Sequence, residues 1–413
     1  MSTPDANPGH LVRRRTAGLS VLAFVLIGSY ELARTAGESL FLAEFQEAGL
    51  PWVWLAVAVA AALAVAVVQR YNTKIPLLRL LGAASLVATA LLLLLLLGMQ
   101  AGLQSATFLL YVWKDVYVVV LVELFWSHAN LTFDLKSARR TYWFFCMMGS
   151  LGGAAGNLLT GELAGHFGTA ATLWALPVLL IGTAAGCFWA QPGQTPLPLP
   201  RPQVRAGPAP SGPARGFFRR HPDVVLLIGL VASVQLALTL LDYHYNGVLR
   251  TQFPDTDERT RVVGWVYSAI NLGAFVLQAS TGPILLLLDV SGTLLLNPAI
   301  LGVTLFSFLL APHFALLAAA KVLSKALDYS LFRAAKELFY IPLAEEARLL
   351  GKPLVDMLTY RVAKAGASLL LLGLGALAIT TWALPISLAC TVVWLVLAVV
   401  AGRRHRRRVS SEV

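Results

Sequence analysis

The chain has 413 residues, of which 57% are hydrophobic and only 13% charged. Soluble globular chains run at about 45–50% apolar and about 25% charged, so this balance argues against a soluble enzyme, a nucleic-acid reader and a disordered scaffold. The 32 Lys and Arg against 21 Asp and Glu leave a net charge of +11, which an anionic cytoplasmic leaflet and the positive-inside rule account for without a nucleic-acid partner.

A membrane-spanning helix needs about 20 apolar residues, so a chain of this length has room for roughly a dozen. Arg13, Arg14 and Arg15 precede an apolar run that contains Glu31 and Arg34 and shows no small-residue cleavage site. It reads as a retained first span rather than a signal peptide. Apolar runs then predict twelve spans, at 17–37, 50–69, 77–99, 105–128, 141–164, 169–190, 223–248, 261–284, 292–311, 313–335, 356–378 and 381–401. Leu285–Leu288 leave little room for a loop between the eighth and ninth. The loops after even-numbered spans are basic. They carry Arg70, Lys74 and Arg79, then Lys136, Arg139 and Arg140, then Arg201, Arg205, Arg215, Arg219 and Arg220. The tail adds Arg403, Arg404, Arg406, Arg407 and Arg408. Lys and Arg mark the cytoplasmic side, so both termini are predicted cytoplasmic.

Residues 191–222 alternate Pro196, Pro198, Pro200 and Pro202 with polar and basic residues. Such a stretch cannot build a core and reads as an extended linker. The predicted layout is an all-α membrane protein of major-facilitator type. A six-helix half spans 1–190, a Pro/Arg-rich cytoplasmic linker 191–222, a second six-helix half 223–402 and a basic cytoplasmic tail 403–413. Cys146, Cys187 and Cys390 lie in apolar stretches with no CxxC spacing and read as small core residues.

The informative residues are the charges at membrane depth. Each costs about 2.5–3.5 kcal/mol at the centre of a span, so each needs a partner or a wet cavity. In the first span Glu31, Arg34 and Glu38, at offsets of three and seven, share one helical face. That face reads either as a cavity wall or as a structural ion-pair ladder. The fourth span has Tyr111, Lys114 and Asp115 one turn apart, then Glu123. The seventh has a polar stripe of Gln235, Thr239, Asp242 and Asn246, with His244 turned away as a packing residue. The tenth has Lys321, Lys325 and Asp328, and the eleventh Arg361 and Lys364. This excess of fixed cations favours an anionic cargo, because Arg grips phosphate or carboxylate bidentately and Lys acts as a point charge. Gly149, Gly152, Gly153 and Gly156 in the fifth span predict close helix packing. No Walker sequence, no catalytic constellation and no metal-ligand cluster stands out, so neither an enzyme nor a cofactor is expected.

The second half also resembles a known family. Residues 334–343 read AAKELFYIPL, followed by Glu345, Glu346, Gly351, Lys352 and Asp356. This is similar to the TKEMAYIPL…EE…KGK…D segment of the nucleotide (ADP/ATP) translocases of plastids and intracellular bacteria. Arg361 to Gly366 resembles their GKSGG stretch, and Asp242 to Pro254 their VEVTWK…QFP stretch. Ser137 to Tyr142 resembles EAKRFY, and Ala33-Arg34-Thr35 resembles LRDT. The resemblance implies a twelve-span exchanger with a few essential buried lysines and acids. Carried over residue by residue, the family's lysine of span eleven matches Lys364, its acid of span seven Asp242 and its acid of span four Asp115. Its lysine after LRDT falls on Gly37, and its basic residue of span seven on Asn246.

The expectation is therefore a multi-pass secondary transporter of a bacterial inner membrane, moving an anionic solute, foremost a nucleotide such as ATP or ADP, by alternating access. ATP is cargo, not a hydrolysed fuel. The bilayer is the expected partner, with no nucleic acid and no required oligomer. Substrate contacts are expected from Arg34, Lys114, Lys325, Arg361 and Lys364, and coupling or gating from Glu31, Glu38, Asp115, Asp242 and Asn246. A proton-coupled carrier of another small solute, or a transport-inactive membrane scaffold, are the alternative readings.

Overall fold

A computed structural model describes residues 8–71, 74–133, 135–189 and 214–412. The described chain is a succession of helices. In the first half these are α1 (Pro8–Phe45), α2 (Leu50–Tyr71), α3 (Leu77–Gln100), α4 (Gln104–Thr132), α5 (Leu135–Phe167), the short α6 (Thr169–Thr172) and α7 (Ala175–Trp189). In the second they are α8 (Ala214–Arg220), α9 (Pro222–Gln252), α10 (Thr256–Ala279), α11 (Thr281–Leu310), α12 (Phe314–Leu327), α13 (Arg333–Tyr340), α14 (Glu345–Pro353), α15 (Tyr360–Ala376) and α16 (Ala383–Glu412). π-helical turns at Asp328–Phe332 and Leu354–Thr359 join α12 to α13 and α14 to α15.

Among the described residues, nine helices are long and apolar enough to cross a membrane. The predicted spans 105–128, 141–164 and 313–335 fall on further helices, α4, α5 and α12–α13. The boundary of the eighth span is corrected. α10 stops at Ala279, and Thr281–Leu288 opens α11 instead. Asp289, at φ 58°, kinks α11 there while its carboxylate accepts the Val290 N–H at 2.6 Å. A polar side chain that captures a local amide is what lets a non-glycine residue hold this conformation. Most of the predicted linker, its residues 191–213, lies outside the described residues, but its end forms the helix α8. The basic tail is not a separate segment either, since α16 runs through it to Glu412. Cys187 is buried as expected, whereas Cys146 is exposed on its helix and Cys390 half-buried.

The helices form two compact units. The first takes Met1–Glu44, Val59–Gly193 and Phe253–Phe275, and the second Phe45–Ala58, Gln194–Gln252 and Val276–Val413. In the first unit α3 packs on α4 and α7 around Leu81, Leu92, Leu121, Phe125, Phe145 and Leu180. The α5 glycines let backbones touch. A Cβ added at Gly152 sits 2.1 Å from the Phe24 carbonyl oxygen of α1, and one at Gly156 sits 2.3 Å from that of Gly28. This is the close packing that small residues permit between membrane helices. In the second unit α9 packs on α15 and α16, and α11 on α12 and α16. Asp223, buried at the start of α9, is held by Arg404 at 3.4 Å and by Arg408, both from the end of α16.

Candidate functional site

Each unit gathers several of its membrane-depth charges into a cluster. In the first unit the offsets of three and four along α1 do what helical geometry dictates. Arg34 reaches Glu31 at 3.3 Å and Glu38 at 3.5 Å. Its guanidinium lies 3.9 Å from the ring centre of Tyr267 on α10, and the Tyr267 hydroxyl donates to Glu38. Arg259, almost wholly buried, donates to the Ser39 carbonyl at 2.9 Å and so ties α10 to α1 a second time.

Beside this ladder, Lys114 of α4 meets Asp115 at 3.0 Å and stands 3.6 Å over the ring centre of Tyr111. The Tyr30 hydroxyl donates to the same Asp115 oxygen at 3.3 Å. The methylene chain of Lys114 runs past Gly37, where an added Cβ meets its Cδ at 3.2 Å. The absent side chain at position 37 is thus the space that the Lys114 stem occupies.

In the second unit Asp242 of α9 bridges two lysines of α12. One carboxylate oxygen faces Lys321 at 3.4 Å and the other Lys325 at 3.1 Å. The offset of four puts both lysines on one face. Lys321 also lies 3.9 Å from the ring centre of Tyr245, one turn beyond Asp242. Its side chain is 1% exposed, against 16% for Lys325 and 23% for Asp242, so the Asp242 side chain is the most accessible of the three, while its Oδ1, the oxygen that faces Lys321, is buried. An ammonium buried to that degree is tolerated only with a partner. Asn246 is buried, and its amide donates back to the Asp242 carbonyl at 2.8 Å. Further along, Lys336 and Asp356 pair at 2.7 Å across the two π-helical turns, and Lys352 pairs with Glu337. Burial and the carboxylates of Asp356 and Glu337 raise the Tyr340 hydroxyl above its ordinary range, so it stays a neutral donor to Asp356.

The predicted residues are therefore sorted by the structure. Glu31, Arg34, Glu38, Lys114 and Asp115 are brought together in the first unit, and Asp242 and Lys325 in the second. Lys364 of α15 is half-buried and makes no ion pair among the described residues. Arg361 is exposed and likewise joins no ion pair among them. His244 packs edge-on against Phe308, as a packing residue does. Sequence reasoning grouped Tyr111 with Lys114 but missed the aromatic partners Tyr245 and Tyr267. Tyr111 and Tyr245 had a signal, each lying three residues from a charged group on its own helix. Tyr267 had none, because its contact with Arg34 joins helices far apart in sequence. Among the described residues no group of three or more His, Cys, Asp or Glu is placed to hold a metal ion.

The fold has clear relatives among solved structures. A bacterial homologue of the iron transporter ferroportin, in its inward-facing state, superposes with a TM-score of 0.67 at 13% identity, covering 94% of this chain and 98% of that one. The class follows: an all-helical membrane protein with the fold of major-facilitator-type transporters. Within that class, residues 217–404 match the family model described as TLC ATP/ADP transporter. ADP,ATP carrier protein 1 of Chlamydia muridarum is 25% identical over 363 residues, 72% of this chain and 65% of that protein. The chloroplastic ADP,ATP carrier protein 2 of Arabidopsis thaliana is 25% identical over 299 residues, 63% of this chain and 48% of that protein. The chain thus spans less than two thirds of the length of each of these two relatives. The resemblance to the nucleotide translocases read from the motifs is borne out, and the relationship is with transporters rather than enzymes.

Proposed function

We propose that the chain is a secondary active transporter that exchanges nucleotides, ATP against ADP, across a bacterial inner membrane by alternating access. The observation that carries this reading is the family match at residues 217–404, the stretch that holds Asp242, Lys321, Lys325 and Lys364. On this reading twelve spans form the halves 1–190 and 223–402, with both termini and the linker 191–222 cytoplasmic. Arg34, Lys114, Lys325, Arg361 and Lys364 contact the anionic cargo. Glu31, Glu38, Asp115 and Asp242 supply gating ion pairs, and Asn246 steadies the backbone beneath Asp242. Lys364 suits a cargo contact because among the described residues it has no ion pair to break before binding.

The charge balance supports an anion. A half-buried cation such as Lys364, with no ion pair among the described residues, is electrostatically incomplete until an anion arrives. The test is uptake of labelled ATP into proteoliposomes with and without internal ADP. Internal ADP is expected to raise the initial rate about tenfold, and Lys364→Ala to abolish it at unchanged expression. Uptake that ignores internal nucleotide and follows a pH gradient overturns exchange in favour of proton coupling. The carboxylate at Asp242 beside a neutral Asn246 is the feature that favours this second reading.

A further inference from the structure

The Asp242–Lys321–Lys325 cluster has a property that ordinary structural ion pairs lack. Its two cations come from one face of α12 and its single anion from α9, with one carboxylate oxygen given to each ammonium. The Asp242 side chain is the most exposed of the three, with its Oδ1 turned inward to the fully buried Lys321 and its Oδ2 to the less buried Lys325. Asp328 interacts with Lys325, Arg333 and Lys336, and Asp356 pairs with Lys336. At Asp242 itself two cations stand against one carboxylate, leaving one positive charge over.

From this geometry we infer that Asp242 is an internal stand-in for the cargo's phosphate: it neutralises Lys321 and Lys325 while the site is empty, and an incoming phosphate-type oxyanion displaces it. The inference rests on the transporter reading above and assigns Lys321 a binding role beside Lys325. Its chemistry is a comparison of charges. An O–P–O edge presents two oxygens much as a carboxylate does, so it fits the same two ammonium groups. A monocarboxylate ligand replaces Asp242 like for like and gains nothing. A phosphate or phosphoanhydride end carries more charge than one carboxylate and wins the exchange. Tyr245 makes the exchange feasible. Its ring holds the Lys321 ammonium from a second side and carries no net charge, so Lys321 stays in place when the carboxylate leaves. Asn246 fixes the α9 backbone at Asp242, which confines the movement to the side chain.

The test measures binding of inorganic pyrophosphate, ADP and acetate to detergent-purified full-length protein. Asp242→Asn removes the competing anion, so pyrophosphate and ADP are expected to bind about tenfold tighter than to the wild type. Lys321→Met and Lys325→Gln are each expected to weaken both at least about tenfold, and acetate binding is expected to be undetectable throughout. Because Asp242→Asn leaves Lys321 buried without its counter-ion, a charge-balanced pair guards against misfolding. In Asp242→Asn/Lys321→Met one charge of each sign is gone, and Lys325 no longer has a competitor. Its affinity for pyrophosphate is expected to exceed that of Lys321→Met alone. If it binds no better than Lys321→Met, or if folded Asp242→Asn binds more weakly than the wild type, Asp242 is not a stand-in and the inference falls. Folded wild-type protein that binds neither anion overturns it as well. Pyrophosphate that follows this pattern while ADP does not bind leaves the inference standing and removes the nucleotide reading. ADP exchange that persists while the pattern is absent does the reverse.

Discussion

At the scale of single residues, Gly37 and Lys114 form one unit of design. A lysine at 37 is what the translocase resemblance leads one to expect, and the chain has glycine there with a lysine stem from α4 lying against it. The stem of a lysine from the neighbouring helix thus fills the space at position 37. Lys114→Gln is expected to reduce transport at least about tenfold. Gly37→Lys in that background is expected to recover part of the rate, measured by the same proteoliposome uptake. A double variant as inactive as Lys114→Gln shows that the charge must come from α4. Gly37→Ala alone crowds the Lys114 Cδ, a flexible methylene, and should change thermal stability little while slowing transport. These charges were legible in the sequence because they sit where hydropathy forbids them. Tyr111 could be read beside Lys114 from spacing, but Tyr267 could not, since its contact with Arg34 joins helices far apart in sequence.

At the scale of helices, the α1–α5 contact and the α9–α16 clasp decide stability in different ways. The first is steric. Gly152→Ala places a Cβ within hard contact of the Phe24 backbone, which cannot yield as a side chain can. The ordinary gain of about 1 kcal/mol for alanine over glycine in a helix is therefore outweighed by overpacking, which costs typically 1–3 kcal/mol. A lowered melting temperature in detergent is expected. Gly165→Ala, whose Cβ meets nothing, is the control expected to leave it unchanged or higher. The second contact is electrostatic. Asp223 is buried while Arg404 and Arg408 are about half exposed, so the carboxylate is the member that needs its partners. Arg404→Gln with Arg408→Gln is expected to cost about 1–2 kcal/mol, below the figure for a fully buried pair because solvent screens the arginines. Adding Asp223→Asn should restore most of the loss, and a melting series of the three proteins checks it. The glycine packing could be read from GxxxG spacing alone. The clasp could not, because the tail reads as a solvated basic run and the acid it serves lies 181 residues upstream of Arg404.

At the scale of the whole molecule, most of the predicted spans fall on single helices among the described residues, while 261–284 straddles α10 and α11, and the class of protein followed from length and composition before any contact was known. What hydropathy misjudged were irregularities: the kink at Asp289, the end of α10 at Ala279 and the π-helical turns. Each leaves the apolar content of a span almost unchanged, so no hydropathy window responds to it. The division into units shows the same limit. Phe253–Phe275 joins the first unit although it follows the linker in sequence. The predicted orientation has its own check. With native cysteines removed, a single cysteine at Phe167 is expected to react with an external membrane-impermeant maleimide in intact cells. One at Arg407 should react only after permeabilisation, and the opposite pattern inverts the topology.

The π-helical turns have a consequence of registry. Such a turn is an α-helix with one residue wedged in, and everything beyond it is swivelled by about 100°. The turn at Asp328–Phe332 lies between Lys325 and Lys336, while the turn at Leu354–Thr359 contains Asp356 itself. The Lys336–Asp356 pair is therefore aimed by two shims rather than by any side chain. Deleting one residue from Asp328–Phe332 should relax that wedge to plain α-helix and swing Lys336 off its partner while leaving Lys321 and Lys325 facing Asp242. Composition, charge and hydropathy would barely change in such a protein. Only the phase of the helix beyond Phe332 would.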